Sequence, residues 1–151
     1  SGLLLAAIAV QLVADAVLAT LLPGVTAVGG PTQGADPIAV ATALVGASRG
    51  RPLKAFSVRP RPKDHGTGGR LVGPVVPGDR VAVVEDTTTT GGSLLDTVDA
   101  LAAEGVEVVQ AVVLVDRSGG EVAAACAARG LPYTQLLLPA DLGVDDLGGE
   151  L

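Results

Sequence analysis

The segment Val81-Ala82-Val83-Val84-Glu85-Asp86-Thr87-Thr88-Thr89-Thr90-Gly91-Gly92-Ser93 constrains the fold more than any other part of the chain. Four consecutive apolar residues, three of them valine, suit a strand covered on both faces, as happens in a parallel sheet. Two carboxylates end the strand, and a turn rich in threonine and glycine follows. Residues 92–104 then carry Leu94, Leu95, Val98, Leu101 and Ala102 at helical spacing, with Gly105 as the stop. A buried strand, a tight turn and an amphipathic helix make half of a crossover unit, and its connection has to return across a parallel sheet.

The rest of the chain repeats that alternation. Helices are expected at 3–20, 35–48, 92–104 and 121–129, and strands at 25–29, 53–59, 80–85, 106–115 and 133–138. Residues 60–78 break the pattern. Gly66, Gly68 and Gly69 cluster there among prolines and charges, so a long mobile loop is expected, with a strand turn at Leu71 and Val72. Loops of this length inside compact domains are usually functional. The expected fold is α/β: a three-layer, Rossmann-like sandwich with a largely parallel central sheet, formed as a single domain over residues 1–151. At 48% hydrophobic and 17% charged residues, the chain can bury a core. With one Phe, one Tyr and no Trp or Met, that core has to be Ala, Val and Leu.

Composition also narrows function. The near absence of aromatics removes the stacking platform that single-stranded nucleic acid normally requires. The single cysteine, Cys126, excludes an intramolecular disulfide and any multi-cysteine metal site, and its Ala-rich setting reads as a buried thiol. The apolar stretch 3–22 has the length of a membrane span, but Gln11 and Asp15 interrupt it and no Lys or Arg precedes Arg49. It is read as a buried helix of a cytoplasmic protein, with no membrane and no nucleic acid among its partners.

The net charge of −6 is unevenly spread. Residues 49–80 hold eight of the ten cations against two acids, Asp64 and Asp79, which leaves that window near +6 and the remainder near −12. A basic loop on an acidic body suits a small polyanion better than a duplex. The 81–93 segment fits the same ligand class: the backbone amides of its turn and helix start donate to a phosphate, and the hydroxyls add further donors. Carboxylates beside an anion site make sense if the ligand also carries vicinal hydroxyls, which donate hydrogen bonds to them. A ribose 5-phosphate satisfies both halves.

These residues resemble the phosphoribosyl pyrophosphate (PRPP) signature of type I phosphoribosyltransferases, and within that superfamily nearly the whole chain is similar to the orotate phosphoribosyltransferase family. Phe56-Ser57-Val58-Arg59 with Lys63-Asp64-His65-Gly66-Thr67-Gly68 resembles its catalytic loop, Gly29 to Pro37 its pyrophosphate loop, and Val115-Asp116-Arg117 a base-contacting strand end. The resemblance implies that Glu85 and Asp86 contact the ribose hydroxyls, and that Thr87, Thr88, Thr89, Thr90, Gly91, Gly92 and Ser93 hold the 5-phosphate. Thr32 and Gln33 would face pyrophosphate, and Thr89 with Arg117 would contact orotate. Arg59, Lys63 and His65 would act in catalysis by neutralising the leaving pyrophosphate. Magnesium is implied as the cofactor, carried mainly by PRPP with no direct protein ligand, and a homodimer with shared sites as the assembly.

The sequence departs from the family in two places. Pro60 stands where a Lys usually follows the loop arginine, so one cation is either lost or displaced by a residue to Arg61, and the loop entrance is stiffened. The chain also begins almost inside its first helix, so contacts to the base from a preceding hood are expected to be missing and Leu3, Leu4, Leu5 and Ile8 to be uncovered, favouring self-association. The lack of Met, Trp and Asn suggests a simplified or reconstructed core. Three functions follow: orotate phosphoribosyl transfer, PRPP binding with little turnover, or a structural core whose motif is idle.

Overall fold

A computed structural model of the chain describes residues 1–60 and 69–143. Lys63 and His65, together with Arg61, lie outside the described residues. Six strands form one sheet in the order β3-β2-β1-β4-β5-β6. They are β1 (Ala27–Pro31), β2 (Lys54–Val58), β3 (Leu71–Val72), β4 (Arg80–Thr88), β5 (Glu107–Asp116) and β6 (Tyr133–Leu137). Every pairing is parallel except that of β2 with β3. Four α-helices complete the layers: α1 (Gly2–Thr20), α2 (Ala35–Ser48), α3 (Gly92–Ala103) and α4 (Glu121–Ala128).

The uninterrupted apolar run is explained by the central position of β4. Val81 and Val83 pack into one core with Leu94 and Leu101 of α3 and Val122 and Cys126 of α4. Ala82 and Val84 pack into the other, with Val17 and Leu18 of α1 and Ala35 and Ile38 of α2. All four strand residues are fully buried, and burying each valine stabilises the fold by about 1.5–3 kcal/mol before entropy is counted. The three-layer sandwich is as the sequence leads one to expect.

Four expectations are corrected. First, β4 runs three residues beyond Glu85, because Thr87 and Thr88 pair with Val115 and Asp116 of β5, and β-branched threonine is at home in a strand. Second, the segment leading to β4 is not loose. Val75 is buried in the core, and Gly73 (φ +126°) brings its backbone against Phe56. Third, β1 begins two residues later than expected, after Thr26 bonds across to Arg80. Fourth, α1 is buried only at Ala14, Val17 and Leu18. Its first half is exposed at Leu3, Leu4, Leu5 and Ile8, as expected for an uncovered helix. By length and composition α1 could cross a bilayer; in this fold its last turns pack on α2, and its end is fixed by Arg51 and Gln110. Arg51 donates to the Leu22 carbonyl at 2.9 Å, and buried Gln110 donates to the Thr20 carbonyl at 2.6 Å.

Candidate functional site

Because β1, β2, β4 and β5 run parallel, all their carboxyl ends open on one edge of the sheet. Chain order reverses between β1 and β4, and in open α/β sheets such a reversal leaves a crevice where ligands bind. Thr32 and Gln33 follow β1, Arg59 follows β2, Glu85 to Thr88 end β4, and Asp116 and Arg117 close β5. The topology therefore brings every described candidate residue to a single edge.

The two central loops touch. A Cβ on Gly34, at the start of α2, would lie 2.4 Å from Asp86 Oδ1, and one on Gly30 would lie 2.0 Å from the Val84 carbonyl oxygen. Only glycine permits that approach. The loop after β1 is held by the Thr32 N–H bond to the Val58 carbonyl at 3.0 Å and by Ser57 Oγ donating to Asp36 Oδ1 at 2.8 Å. The Thr32–Gln33 peptide is cis, which the sequence did not announce.

Glu85 and Asp86 differ sharply although they are adjacent. Asp86 is exposed, and its Oδ1 accepts the Thr87 N–H at 2.8 Å. Glu85 is buried, and among the described residues its Oε2 has no hydrogen-bond partner. Burial, reinforced by the Asp86 charge and opposed by a hydrogen bond from Ser93, pushes the Glu85 carboxyl up to about 7. An orphaned acceptor at the bottom of a donor-rich turn is costly unless something outside the chain supplies a donor.

The turn beside Glu85 is shaped by glycine and lined by hydroxyls. Gly91 takes φ +75° and caps α3, whose first amides face the edge. Thr87, Thr89, Thr90, Gly92 and Ser93 are exposed. Thr88 and Gly91 are buried: Thr88 is 5% exposed, its Oγ1 accepts the Gly91 N–H at 3.1 Å, and its carbonyl accepts the Arg117 N–H at 2.9 Å. Its hydroxyl oxygen therefore shapes the turn from inside. At the far side, buried Asp116 accepts from Ser118 N at 2.7 Å and from the Tyr133 hydroxyl at 2.7 Å. Burial alone would raise its carboxyl, but these bonds hold it below the usual range. Nothing in the sequence pattern flagged Tyr133; its being the only tyrosine, at the start of β6, was the available signal.

Two further features frame the edge. Arg59 and Arg70 bracket the charged segment: the Arg59 N–H donates to the Arg70 carbonyl at 2.9 Å and Arg70 Nε to the Arg59 carbonyl at 2.7 Å, while the Arg70 guanidinium pairs with Asp96 on α3. Beside Asp86 a mainly apolar cavity of about 310 Å³ opens between α1 and α2, lined by Val10, Val13, Pro37, Ile38 and Leu114 among others. Among the described residues no three His, Cys, Asp or Glu side chains cluster as a metal cage.

Comparison with known proteins agrees with this architecture. The model of the phosphoribosyl transferase domain matches residues 26–132, from the start of β1 to the threshold of β6. The chain belongs to the phosphoribosyl transferase domain family. The orotate phosphoribosyltransferase of Streptomyces avermitilis is 48% identical over 119 residues, which are 79% of this chain and 65% of that protein. That of Corynebacterium glutamicum is 52% identical over 121 residues, covering 79% of this chain and 62% of its own length. The chain thus spans somewhat less than two thirds of these relatives. Among solved structures, Mycobacterium tuberculosis orotate phosphoribosyltransferase in complex with PRPP superposes with a TM-score of 0.73 at 40% identity, covering 90% of this chain and 76% of that one. A phosphoribosyltransferase from Corynebacterium diphtheriae gives 0.76 at 43% identity, covering 89% and 77%.

Proposed function

We propose that this phosphoribosyl transferase domain moves ribose 5-phosphate from PRPP to orotate, giving orotidine 5'-phosphate and pyrophosphate. The observation that carries the reading is Glu85 Oε2, buried and without a partner among the described residues, beside an exposed acid and a turn whose Thr87, Thr89, Thr90 and Ser93 side chains are exposed. A phosphorylated ribose supplies both complements: vicinal hydroxyls donate to Glu85 and Asp86, and the 5-phosphate accepts from the amides and hydroxyls of Thr87, Thr89, Thr90, Gly91, Gly92 and Ser93. Ionised Glu85 gains donors on binding, so its carboxyl falls from about 7 in the complex. Identity to named orotate phosphoribosyltransferases of 48% and 52% supports orotate as the base. Arg117 offers the orotate carboxylate a cation, with Thr89 a hydroxyl on the same side.

In the transfer, the bond from C1 of the ribose to the diphosphate breaks, the electron pair leaves with pyrophosphate, and an orotate ring nitrogen bonds to C1 as its N–H proton is given up to the departing pyrophosphate. Positive charge grows on the sugar and negative charge on the departing group. The acidic pair stands beside the first, and Arg59 with Lys63 and His65 is assigned to the second. Magnesium enters this reading as an ion carried by PRPP, since such ions commonly bind through substrate phosphates. It supplies charge neutralisation on the diphosphate. A second copy of the chain is the partner this reading implies, and the apolar residues exposed on α1 are consistent with it.

The test is to titrate PRPP with magnesium into the protein by calorimetry and to assay orotidine 5'-phosphate formation in parallel. Saturable heat with product supports transfer. Saturable heat without product leaves a PRPP-binding core, and no heat rejects the site.

A further inference from the structure

Tyr133 opens β6, one strand away from the candidate ligand edge, and is half-buried against the core that contains Cys126 and Val122. Its hydroxyl reaches Asp116 Oδ2 at 2.7 Å, while Asp116 Oδ1 takes the Ser118 N–H at 2.7 Å. Asp116 and Ser118 flank Arg117, so the two bonds brace the turn on both sides of that arginine. Two more ties complete the frame. The Arg117 N–H donates to the Thr88 carbonyl at 2.9 Å, and Ser118 Oγ accepts the Val122 N–H of α4 at 3.1 Å. Asp116 is 3% exposed, so water offers no substitute donor if the phenol is removed.

We propose that Tyr133 is a positioning residue for base recognition: through Asp116 it fixes the 116–118 turn, and with it the direction in which Arg117 meets the carboxylate of the base. The inference rests on the assignment of Arg117 to orotate made above. The phenol keeps its proton throughout. Burial and the charge of Asp116 hold it far above an ordinary tyrosine, so it acts as a permanent donor. Without that donor the buried carboxylate has to find another, and the backbone of its own turn is nearest. The phosphate turn has a tie of its own, the Gly91 N–H to Thr88 Oγ1, and meets the 116–118 turn through the backbone of Thr88 rather than through the phenol.

The experiment compares two ligands that share the sugar phosphate and differ by the base. Ribose 5-phosphate and orotidine 5'-phosphate are titrated into the full chain and into its Tyr133→Phe variant. In the unaltered protein orotidine 5'-phosphate binds more tightly. In Tyr133→Phe that preference falls about three- to tenfold, the worth of one aligned hydrogen bond, while ribose 5-phosphate changes less than about twofold. A plain structural role would weaken both ligands together or neither, and either result overturns the proposal. Equal binding of the two ligands by the unaltered protein overturns the orotate assignment itself, a pattern distinct from the other failures. If Tyr133→Phe does not fold, Asp116→Ala, which removes the acceptor of both bonds, has to show the same selective loss; an intact preference there overturns the proposal.

Discussion

Asp79 and Glu85 stand six residues apart on one stretch of chain, both 7% exposed, at opposite edges of the sheet. Asp79 is fully engaged. Lys54 Nζ and the Val76 N–H meet its Oδ2 at 2.7 and 2.9 Å, and Thr26 Oγ1 meets its Oδ1 at 2.8 Å. Lys54, with the Val76 amide and Thr26, draws its carboxyl below the usual range against the opposing effect of burial. Glu85 is pushed the other way by burial and by Asp86, with one oxygen unserved. Equal burial thus gives opposite chemistry. At the amino edge the chain completes its own hydrogen bonds and closes the sheet; at the carboxyl edge a buried acceptor stays unserved among the described residues.

Neutralising the open edge gives the largest effect. Glu85→Gln with Asp86→Asn is expected to cut orotidine 5'-phosphate formation at least about a hundredfold, with circular dichroism unchanged; unaltered turnover would remove Glu85 and Asp86 from the reaction. The pH dependence of stability separates the two acids next. Glu85 has a folded value of about 7 against an ordinary 4.5, so its contribution is present below 4.5 and is lost as pH rises through 7. Asp79 behaves oppositely: its contribution is present above its ordinary 3.8 and lost as pH falls through its lower folded value. Glu85→Gln alone should therefore stabilise the protein at pH 8 by up to about 3 kcal/mol and do nothing near pH 4.5, as read by urea denaturation at both.

Closing or opening the other edge has smaller consequences. Asp79→Ala leaves the Val76 amide and Thr26 without their acceptor and should cost about 2 kcal/mol in urea midpoint analysis, with PRPP affinity retained in the folded fraction. If affinity falls as well, the edges are not independent. Gly34→Ala drives a methyl group toward Asp86 Oδ1, 2.4 Å away, and should weaken PRPP binding about tenfold by moving that carboxylate. The smallest effect belongs to neither edge. Arg49→Ala removes a surface pair with Asp15, both partners more than a third exposed, and should change stability by less than about 1 kcal/mol.

The sequence made the layers legible because Val81 to Val84 admit only burial on both faces, and the helices at 35–48 and 92–103 announced themselves by spacing and by their glycine stops. The candidate site was legible where local chemistry is dense, at residues 85–93. It was not where the edge is assembled by contact between distant segments. Gly34 against Asp86, Tyr133 against Asp116 and Ser57 against Asp36 are made by strand order, which no single stretch encodes. The extension of β4 to Thr88 was missed because four threonines read equally well as a turn until β5 offers partners to two of them.

The bond pair between Arg59 and Arg70, with Arg70 anchored to Asp96 on α3, fixes both ends of the charged segment independently of what joins them. A closed frame of this kind works as a clasp: it ties the outer strand pair to α3 through residues 59, 70 and 96, so the register of β2 with β3 is secured at the point where the two strands part.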